Sequence, residues 1–196
     1  MRQLVGHTKE VLSVAWLPDG RRLVSGGEDS DVIVWDAESG RALHHLEGHK
    51  GEVKYVASGV TGRLVVSAGG WNDGKIRIWD AESGQIMQTI ISHPNMSCVA
   101  WSPDQQSLAC SDGNCSIVVR DVKSGKIEQT LATTYYAIAW GPKGRIATAG
   151  YAPQILDAES GEAVCRLQGK PEIFSRIVCV LGDPTDGMLL VARRTS

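Results

Sequence analysis

One six-residue stretch occurs four times along this chain, and it constrains the fold more than any other feature of the sequence. The hexapeptide WDAESG at residues 35–40 recurs at 79–84, and altered copies, RDVKSG and LDAESG, stand at 120–125 and 156–161. A chain that repeats one supersecondary unit has to be interpreted as an array of that unit before other features are considered.

Two independent landmarks show the same period. The aspartates of the four copies are Asp36, Asp80, Asp121 and Asp157, at separations of 44, 41 and 36 residues. A Gly-His or Ser-His pair recurs in phase with them, at residues 6–7, 48–49 and 92–93. A unit of about 40–45 residues is the length of one four-stranded propeller blade.

The first full unit shows the strands directly. Apolar residues alternate along 11–16, and shorter strand patterns follow at 21–25, 31–35 and 42–46. Turn residues separate them, among them Pro18-Asp19-Gly20. Because no window has the three-to-four spacing of an amphipathic helix, we expect an all-β chain of four-stranded antiparallel blades, about four and a half in number.

We expect one domain over residues 1–196, divided by the repeat. Residues 1–5 match the last strand of a preceding blade, and 169–196 begin a fifth blade that stops partway. The four full units are expected at 6–47, 48–91, 92–132 and 133–168.

Composition narrows the classes of function. Hydrophobic content of 42% and charged content of 21% are typical of globular domains. The formal net charge of −2 argues against a nucleic-acid binder that relies on a basic field. No apolar run reaches the roughly 18–20 residues that cross a bilayer, so we expect no membrane partner.

The five cysteines indicate a reducing, cytoplasmic location. No pair has C-x-x-C spacing, and no charged-then-apolar stretch precedes the first repeat. Cys98, Cys110 and Cys179 fall in strand patterns and are expected to be buried apolar residues. Cys110 and Cys115 lack the partners of a tetrahedral zinc set. We therefore expect no metal and no cofactor.

The motifs of each unit together resemble the WD-repeat (WD40) family. They are Gly-His, then Val-x-x-Val-x-Trp with Pro-Asp-Gly, then Val-Ser-Gly-x-x-Asp and Ile-Val-Trp-Asp. The resemblance covers about residues 6–168 and is strongest in the first two units. It implies a β-propeller in which the last strand of one repeat closes the next blade.

The resemblance also implies a hydrogen-bonded chain of Trp, Ser or Thr, His and Asp in each blade. These positions are Trp35, Ser25, His7 and Asp29 in the first unit, and Trp79, Ser67, His49 and Asp73 in the second. In the third unit they are Arg120, Cys110, His93 and Asn114, and the fourth retains Leu156 and Thr148 without a histidine. Ser, His and Asp also form catalytic triads, but a set that recurs once per blade indicates a structural role.

The turns that this family presents on one rim supply the candidate binding residues. They carry Lys9, Glu10, Glu28, Ser30, Lys50, Glu52, Trp71, Asn72, Asn95, Tyr135 and Tyr151. Trp71 is the principal candidate because aromatic residues anchor many interfaces and this one lies in a glycine-rich turn. The alternative is that Trp71 folds back over its own turn, and that the charged residues are a solvated rim.

We expect a non-catalytic scaffold or adaptor that binds other proteins or peptides. One alternative is a ligand-sensing module of a larger signalling protein. A propeller hydrolase is the other, but Val11, Val53, Met96 and Tyr135, at the starts of the innermost strands, are not a ligand set.

A propeller has to close, so further blades of a longer chain, pairing of residues 3–5 with the fifth unit, or a second chain would complete the ring.

The loss of motif residues along the chain predicts a gradient of local stability. The third and fourth units should open at lower free energy than the first two, because they lack most of the hydrogen-bonded set. Native-state hydrogen exchange of amides in each unit would measure this gradient. Equal protection in all four units would contradict it.

Overall fold

The computed structural model describes residues 3–94, 96, 98–111, 116–132, 137–149, 153–166, 179–183 and 187–191. The chain divides into two compact units, residues 1–99 and residues 100–196. Every regular element among the described residues is a β-strand, which confirms the all-β prediction. No helix in this part of the chain is long and apolar enough to cross a membrane.

The first unit contains two four-stranded antiparallel sheets, each in chain order. The first sheet consists of β1 (Val11–Trp16), β2 (Arg22–Gly27), β3 (Val32–Asp36) and β4 (Ala42–Leu46). The second sheet consists of β5 (Val53–Ser58), β6 (Leu64–Gly69), β7 (Lys75–Asp80) and β8 (Ile86–Ile91). In each sheet the third strand is almost entirely buried, while the fourth is largely exposed.

The second unit has the same plan. The third sheet consists of β9 (Val99–Trp101), β10 (Ser107–Ser111), β11 (Ser116–Asp121) and β12 (Ile127–Ala132). The fourth sheet consists of β13 (Ala137–Gly141), β14 (Arg145–Ala149), β15 (Gln154–Asp157) and β16 (Ala163–Arg166). A hairpin of β17 (Cys179–Asp183) and β18 (Gly187–Val191) lies beside β13.

The recurring hexapeptide forms the same turn between the third and fourth strands of every four-stranded sheet. In the first copy, Oδ1 of Asp36 accepts hydrogen bonds from the backbone N–H and the hydroxyl of Ser39, both at 2.7 Å. Gly40 then takes a φ of 76°, a left-handed conformation that glycine adopts without strain. The Asp and Ser residues of the other three copies make equivalent bonds. The repeat is thus a turn sequence, which explains why these residues return together.

The aspartate of this turn also accepts a hydrogen bond from an arginine that precedes the second strand of the same sheet. Arg21 donates from Nε to Oδ2 of Asp36 at 2.7 Å, and Arg63 donates to Asp80 in the same way at 2.9 Å. Hydrogen bonds from the turn serine and then the arginine hold the pKa of Asp36 well below its usual range. Because the arginine side chains are mostly exposed, these pairs contribute little to stability.

The two sheets of the first unit pack face to face through small and branched residues. The core between them includes Val24, Val34, Val53, Val56 and Val65, all at most 2% exposed. Gly26 on β2 allows the close approach, since a Cβ there would lie 2.5 Å from Cγ1 of Val53. The other face of β1 is open, and its Val14 and Trp16 are 65% and 59% exposed.

The strands begin and end within two residues of their predicted bounds in the first repeat. Gln3 to Val5 belong to no strand, and Gln3 and Leu4 lie against the turn at Gly40. No observation tests the predicted repeat boundaries at residues 6–47, 48–91, 92–132 and 133–168, and they stay predictions.

Replacing Gly26 by alanine should destabilise the first unit by about 1–3 kcal/mol, because the new Cβ overlaps Val53. Urea unfolding would measure the change in the free energy of unfolding. In the double variant with Val53→Ala, the space vacated by the valine accommodates the added methyl group. We therefore expect the double variant to lose at least about 0.5 kcal/mol less than the sum of the single losses. Additive losses would contradict direct contact as the cause.

Candidate functional site

A chain of hydrogen bonds crosses the first sheet from its middle to its rim. The Trp35 indole donates from Nε1 to Oγ of Ser25 at 2.7 Å. The Ser25 hydroxyl is 2.7 Å from Nε2 of His7, whose Nδ1 is 2.9 Å from Oδ1 of Asp29. Asp29 also accepts the backbone N–H of Thr8 at 2.7 Å. The structure thus joins the four residues of the predicted network to the loop that precedes β1.

The second sheet repeats this chain with shorter bonds around its histidine. Trp79 donates from Nε1 to Oγ of Ser67 at 2.7 Å, and Ser67 Oγ is 2.6 Å from Nε2 of His49. Nδ1 of His49 is 2.7 Å from Oδ2 of Asp73. A neutral His49 satisfies the contacts with Ser67 and Asp73 if Nδ1–H donates to the carboxylate and Nε2 accepts the Ser67 hydroxyl. Nη1 of Arg77 lies 2.7 Å from the same Nδ1.

Arg77 is a member of the second network that the sequence analysis missed. Its side chain on β7 is buried, and it donates from Nη1 to Oδ2 of Asp73 at 2.6 Å and from Nη2 to the Gly48 carbonyl at 2.7 Å. Ile33 occupies the corresponding position of the first sheet. A charged residue between Ile76 and Ile78, where the first repeat has Ile33, was the available signal.

Burial and charge keep His49 neutral. Burial, and then the positive charge of Arg77, lower the pKa of His49 to about 4, although Asp73 acts in the opposite direction. Burial alone would raise the pKa of Asp73. Hydrogen bonds from Arg77, the Lys50 backbone and His49 outweigh this effect and lower it. The pair is therefore a neutral imidazole beside an ionised carboxylate.

The third and fourth sheets carry other residues at most of these positions. Arg120, at the position of Trp35, donates to the Gly125 carbonyl at 2.9 Å, and Cys110 is buried at the position of Ser25. Leu156 and Thr148 are buried in the fourth sheet, where Thr148 donates to the Gln154 carbonyl. Among the described residues, the buried atoms without a hydrogen-bond partner include Nε1 of Trp101 and of Trp140. His93 lies among the described residues, whereas Asn114 lies outside them.

Most of the predicted rim residues of the first two repeats surround one shallow cavity of about 340 Å³. We call this the rim surface, and its residues are Lys9, Glu28, Ser30, Lys50, Gly51, Glu52, Trp71 and Asn72. In each of the two sheets, the loop before the first strand and the loop between the second and third strands contribute to it. Glu10 does not line the cavity, but its carbonyl accepts the Glu28 backbone N–H at 2.9 Å. Asn95, Tyr135 and Tyr151 lie outside the described residues.

Trp71 is the exposed aromatic residue of this surface, at 64%. Most of its surface is therefore accessible to a partner. Glu52 pairs with Lys54 at 3.2 Å, so one of the acidic residues is already balanced by a neighbour. The rim surface therefore combines one exposed aromatic ring with charges of both signs.

The described residues contain no group of three or more His, Cys, Asp or Glu that could hold a metal ion. Two of the innermost-strand positions considered for a catalytic centre, Val53 and Met96, are completely buried, and Val11 is 44% exposed. Tyr135 lies outside the described part of the chain. Ser67 is completely buried, so its contact with His49 is closed to a substrate.

Comparison with known proteins agrees with this geometry. The family model "WD domain, G-beta repeat" matches residues 1–36, 40–80 and 84–119, more than half of the chain. The chain belongs to the WD-repeat family. Each four-stranded sheet is thus a blade of the type that builds β-propellers.

Several WD-repeat relatives are similar over part of their length. The B-type cell cycle switch protein ccs52B of Medicago truncatula is 28% identical over 79% of this chain, which spans 33% of that protein. The WD repeat-containing protein slp1 of Schizosaccharomyces pombe is 33% identical over 56% of this chain, which spans 23% of it. The chain thus covers a third or less of either relative.

A solved structure, entitled "Structure of U3-55K", shows the same fold. It superposes with a TM-score of 0.74 at 24% sequence identity, and the match covers 83% of this chain and 53% of that one. At this identity, the similarity supports the fold alone.

The stability of the WD-repeat chain should fall between pH 6.5 and pH 4 because of His49. The folded state holds His49 neutral to about pH 4, whereas the unfolded chain takes up a proton near pH 6.5. The stabilisation is therefore complete above pH 6.5 and is lost as the pH falls, by up to about 3 kcal/mol.

An NMR titration of the His49 imidazole should show a midpoint near pH 4. Urea unfolding of a His49→Gln variant should depend less on pH in this window than that of the unchanged chain. A midpoint near the ordinary histidine value of about 6.5 would contradict the effect of burial and Arg77.

Proposed function

We propose that this WD-repeat chain is a non-catalytic interaction module that binds other proteins or peptides through the rim surface. The observation that carries the proposal is the exposed Trp71, held beside Asn72 at the edge of a cavity that two repeats build together. Tryptophan is enriched among the residues that dominate binding energy at protein interfaces. The lining charges of both signs suit the polar residues that surround such an anchor.

The burial of the Ser-His-Asp contacts supports a scaffold over an enzyme. In the second sheet, Ser67 and the Asp73 side chain are at most 1% exposed, and the His49 side chain is completely buried. A nucleophile and its base have to reach a substrate at a pocket. The hydrogen-bonded chain instead ends at the loop that carries Trp71, so its evident effect is to shape the rim surface.

We also propose an intracellular, reducing location for the chain. Cys98 and Cys110 are buried as thiols, while the thiol of Cys165 on β16 is exposed. An exposed thiol of this kind persists more readily where glutathione and thioredoxin keep cysteines reduced.

Replacing Trp71 by alanine should weaken binding at the rim surface by about 2 kcal/mol, or about thirty-fold in Kd, without changing the thermal melt. Peptides would be selected from a random display library on the unchanged chain and their affinities measured by fluorescence anisotropy. Trp16→Ala is the matched control, because Trp16 is 59% exposed on the open face of β1, away from the rim surface.

Equal affinities of the unchanged chain and the Trp71→Ala variant for every selected peptide would overturn the proposal. So would a loss that Trp16→Ala reproduces, because removal of any exposed tryptophan would then be the cause. A Trp71→Ala chain that no longer melts cooperatively would show that the indole has a structural role.

A further inference from the structure

The rim surface depends on two loops of the second sheet that are tied together at a few atoms. One loop is residues 48–52, before β5, and the other is residues 70–74, between β6 and β7. The Gly70 backbone N–H donates to the Glu52 carbonyl at 2.8 Å, and the Lys50 N–H donates to Oδ1 of Asp73 at 3.0 Å. These contacts flank the pair Trp71-Asn72, so the backbone is anchored on either side of the tryptophan.

Arg77 is the side chain that reaches both loops from β7, the buried strand that follows the second loop. Its guanidinium binds both carboxylate oxygens of Asp73, at 2.6 and 3.2 Å, and its Nη2 also donates to the Gly48 carbonyl at 2.7 Å. The side chain is 5% exposed and that of Asp73 is 1% exposed. A two-pronged contact of this kind fixes the direction of the carboxylate as well as its distance.

The two loops of the second sheet also pack closely against each other. A Cβ at Gly51 would lie 3.2 Å from Cβ of Asn72 and 3.3 Å from its backbone nitrogen. The two loops therefore lie in direct contact at Gly51 and Asn72, the residue that follows Trp71.

The first sheet shows what the same loops are like without an arginine. Asp29 accepts bonds from His7 and from the Thr8 backbone, and Glu28 N–H donates to the Glu10 carbonyl, as in the second sheet. Ile33, completely buried, occupies the position of Arg77. The first sheet folds with this pattern, so the arginine is an addition to the repeat rather than a requirement of the strand.

We propose that Arg77 is the positioning residue of the rim surface, holding residues 48–52 and 70–74 in one geometry and thereby making the second sheet the principal binding element. A buried ion pair contributes little net stability, since the loss of hydration offsets the attraction. Its larger effect is to preorganise a surface, which lowers the entropy lost on binding. This inference rests on the proposed function of Trp71 for its consequence in binding, but its structural part concerns the free chain.

The test replaces Arg77 by isoleucine, which converts the second sheet to the pattern of the first, and by lysine, which keeps the charge without the two-pronged geometry. Ile33→Val is the control, because it perturbs the same buried strand position of the preceding sheet. Hydrogen exchange by NMR follows the amides of Lys50, Gly70, Asp73 and Gly74 in the free chain. The Val66 amide, within β6, reports on the sheet itself.

In Arg77→Ile we expect the four rim amides to exchange at least tenfold faster while the Val66 amide is unchanged, with a smaller effect in Arg77→Lys and none in Ile33→Val. The His49 imidazole should also titrate at a higher pH once the neighbouring positive charge is gone. Affinity for a display-selected peptide that requires Trp71 should fall at least tenfold in Arg77→Ile.

Unchanged rim exchange in Arg77→Ile, or equal acceleration of the Val66 amide, would overturn the positioning role. Faster rim exchange with unchanged peptide affinity would overturn its consequence for binding. If Arg77→Ile does not fold, the same measurements on Arg77→Lys decide between these outcomes. A failure of Trp71 to contribute to any binding would overturn the proposed function, whereas amide exchange in the free chain would still test the positioning role of Arg77 independently.

Discussion

A buried carboxylate holds each rim turn of the first unit, and the surrounding structure depends on it. Asp29 and Asp73 are each bonded to a histidine more than twenty residues earlier in the chain and to the backbone amide that follows that histidine. An ionised group in such a place is unfavourable unless its oxygens are paired. The loop before the first strand therefore has to contact the loop between the second and third strands. The Ser and Trp side chains that follow the histidine in the hydrogen-bonded chain connect this contact to the middle of the sheet.

At the other end of the third strand in each of these sheets, a second aspartate also holds a turn in place, but its partners are exposed. Asp36 and Asp80 cap the recurring turn and bind an arginine whose side chain is mostly in solvent. The residues at the two ends of the strand consequently differ in how often they recur among the repeats. The turn end recurs in all four sheets as a local motif, whereas the full set of Trp, Ser, His and Asp residues is present in the sequence of the first two repeats only. The variable end is the one that needs partners distant in sequence.

Much of the fold was predictable because its signals are local. The period of the hexapeptide, the alternation along residues 11–16 and the turn residues predicted four-stranded sheets, and the structure confirms them. The members of the hydrogen-bonded chains were also named before the structure was known, because the resemblance to the WD-repeat family assigns each of them a position in the unit. Arg77 was missed for a physical reason: alternation alone does not show whether a charged residue in a strand faces water or a buried carboxylate.

The sequence by itself determined the strands, the turns and the polar residues that had to be paired when buried. Only the tertiary structure decided that Trp71 stands in solvent, that it shares a cavity with Lys9 and Glu28 of the preceding repeat, and that Arg77 binds Asp73 in the loop that carries Trp71. The reason is that turns and strands follow from neighbours along the chain, whereas a surface assembled from two repeats depends on how one sheet packs against the next. That packing depends on atomic contacts such as Gly26 against Val53, which no periodicity records.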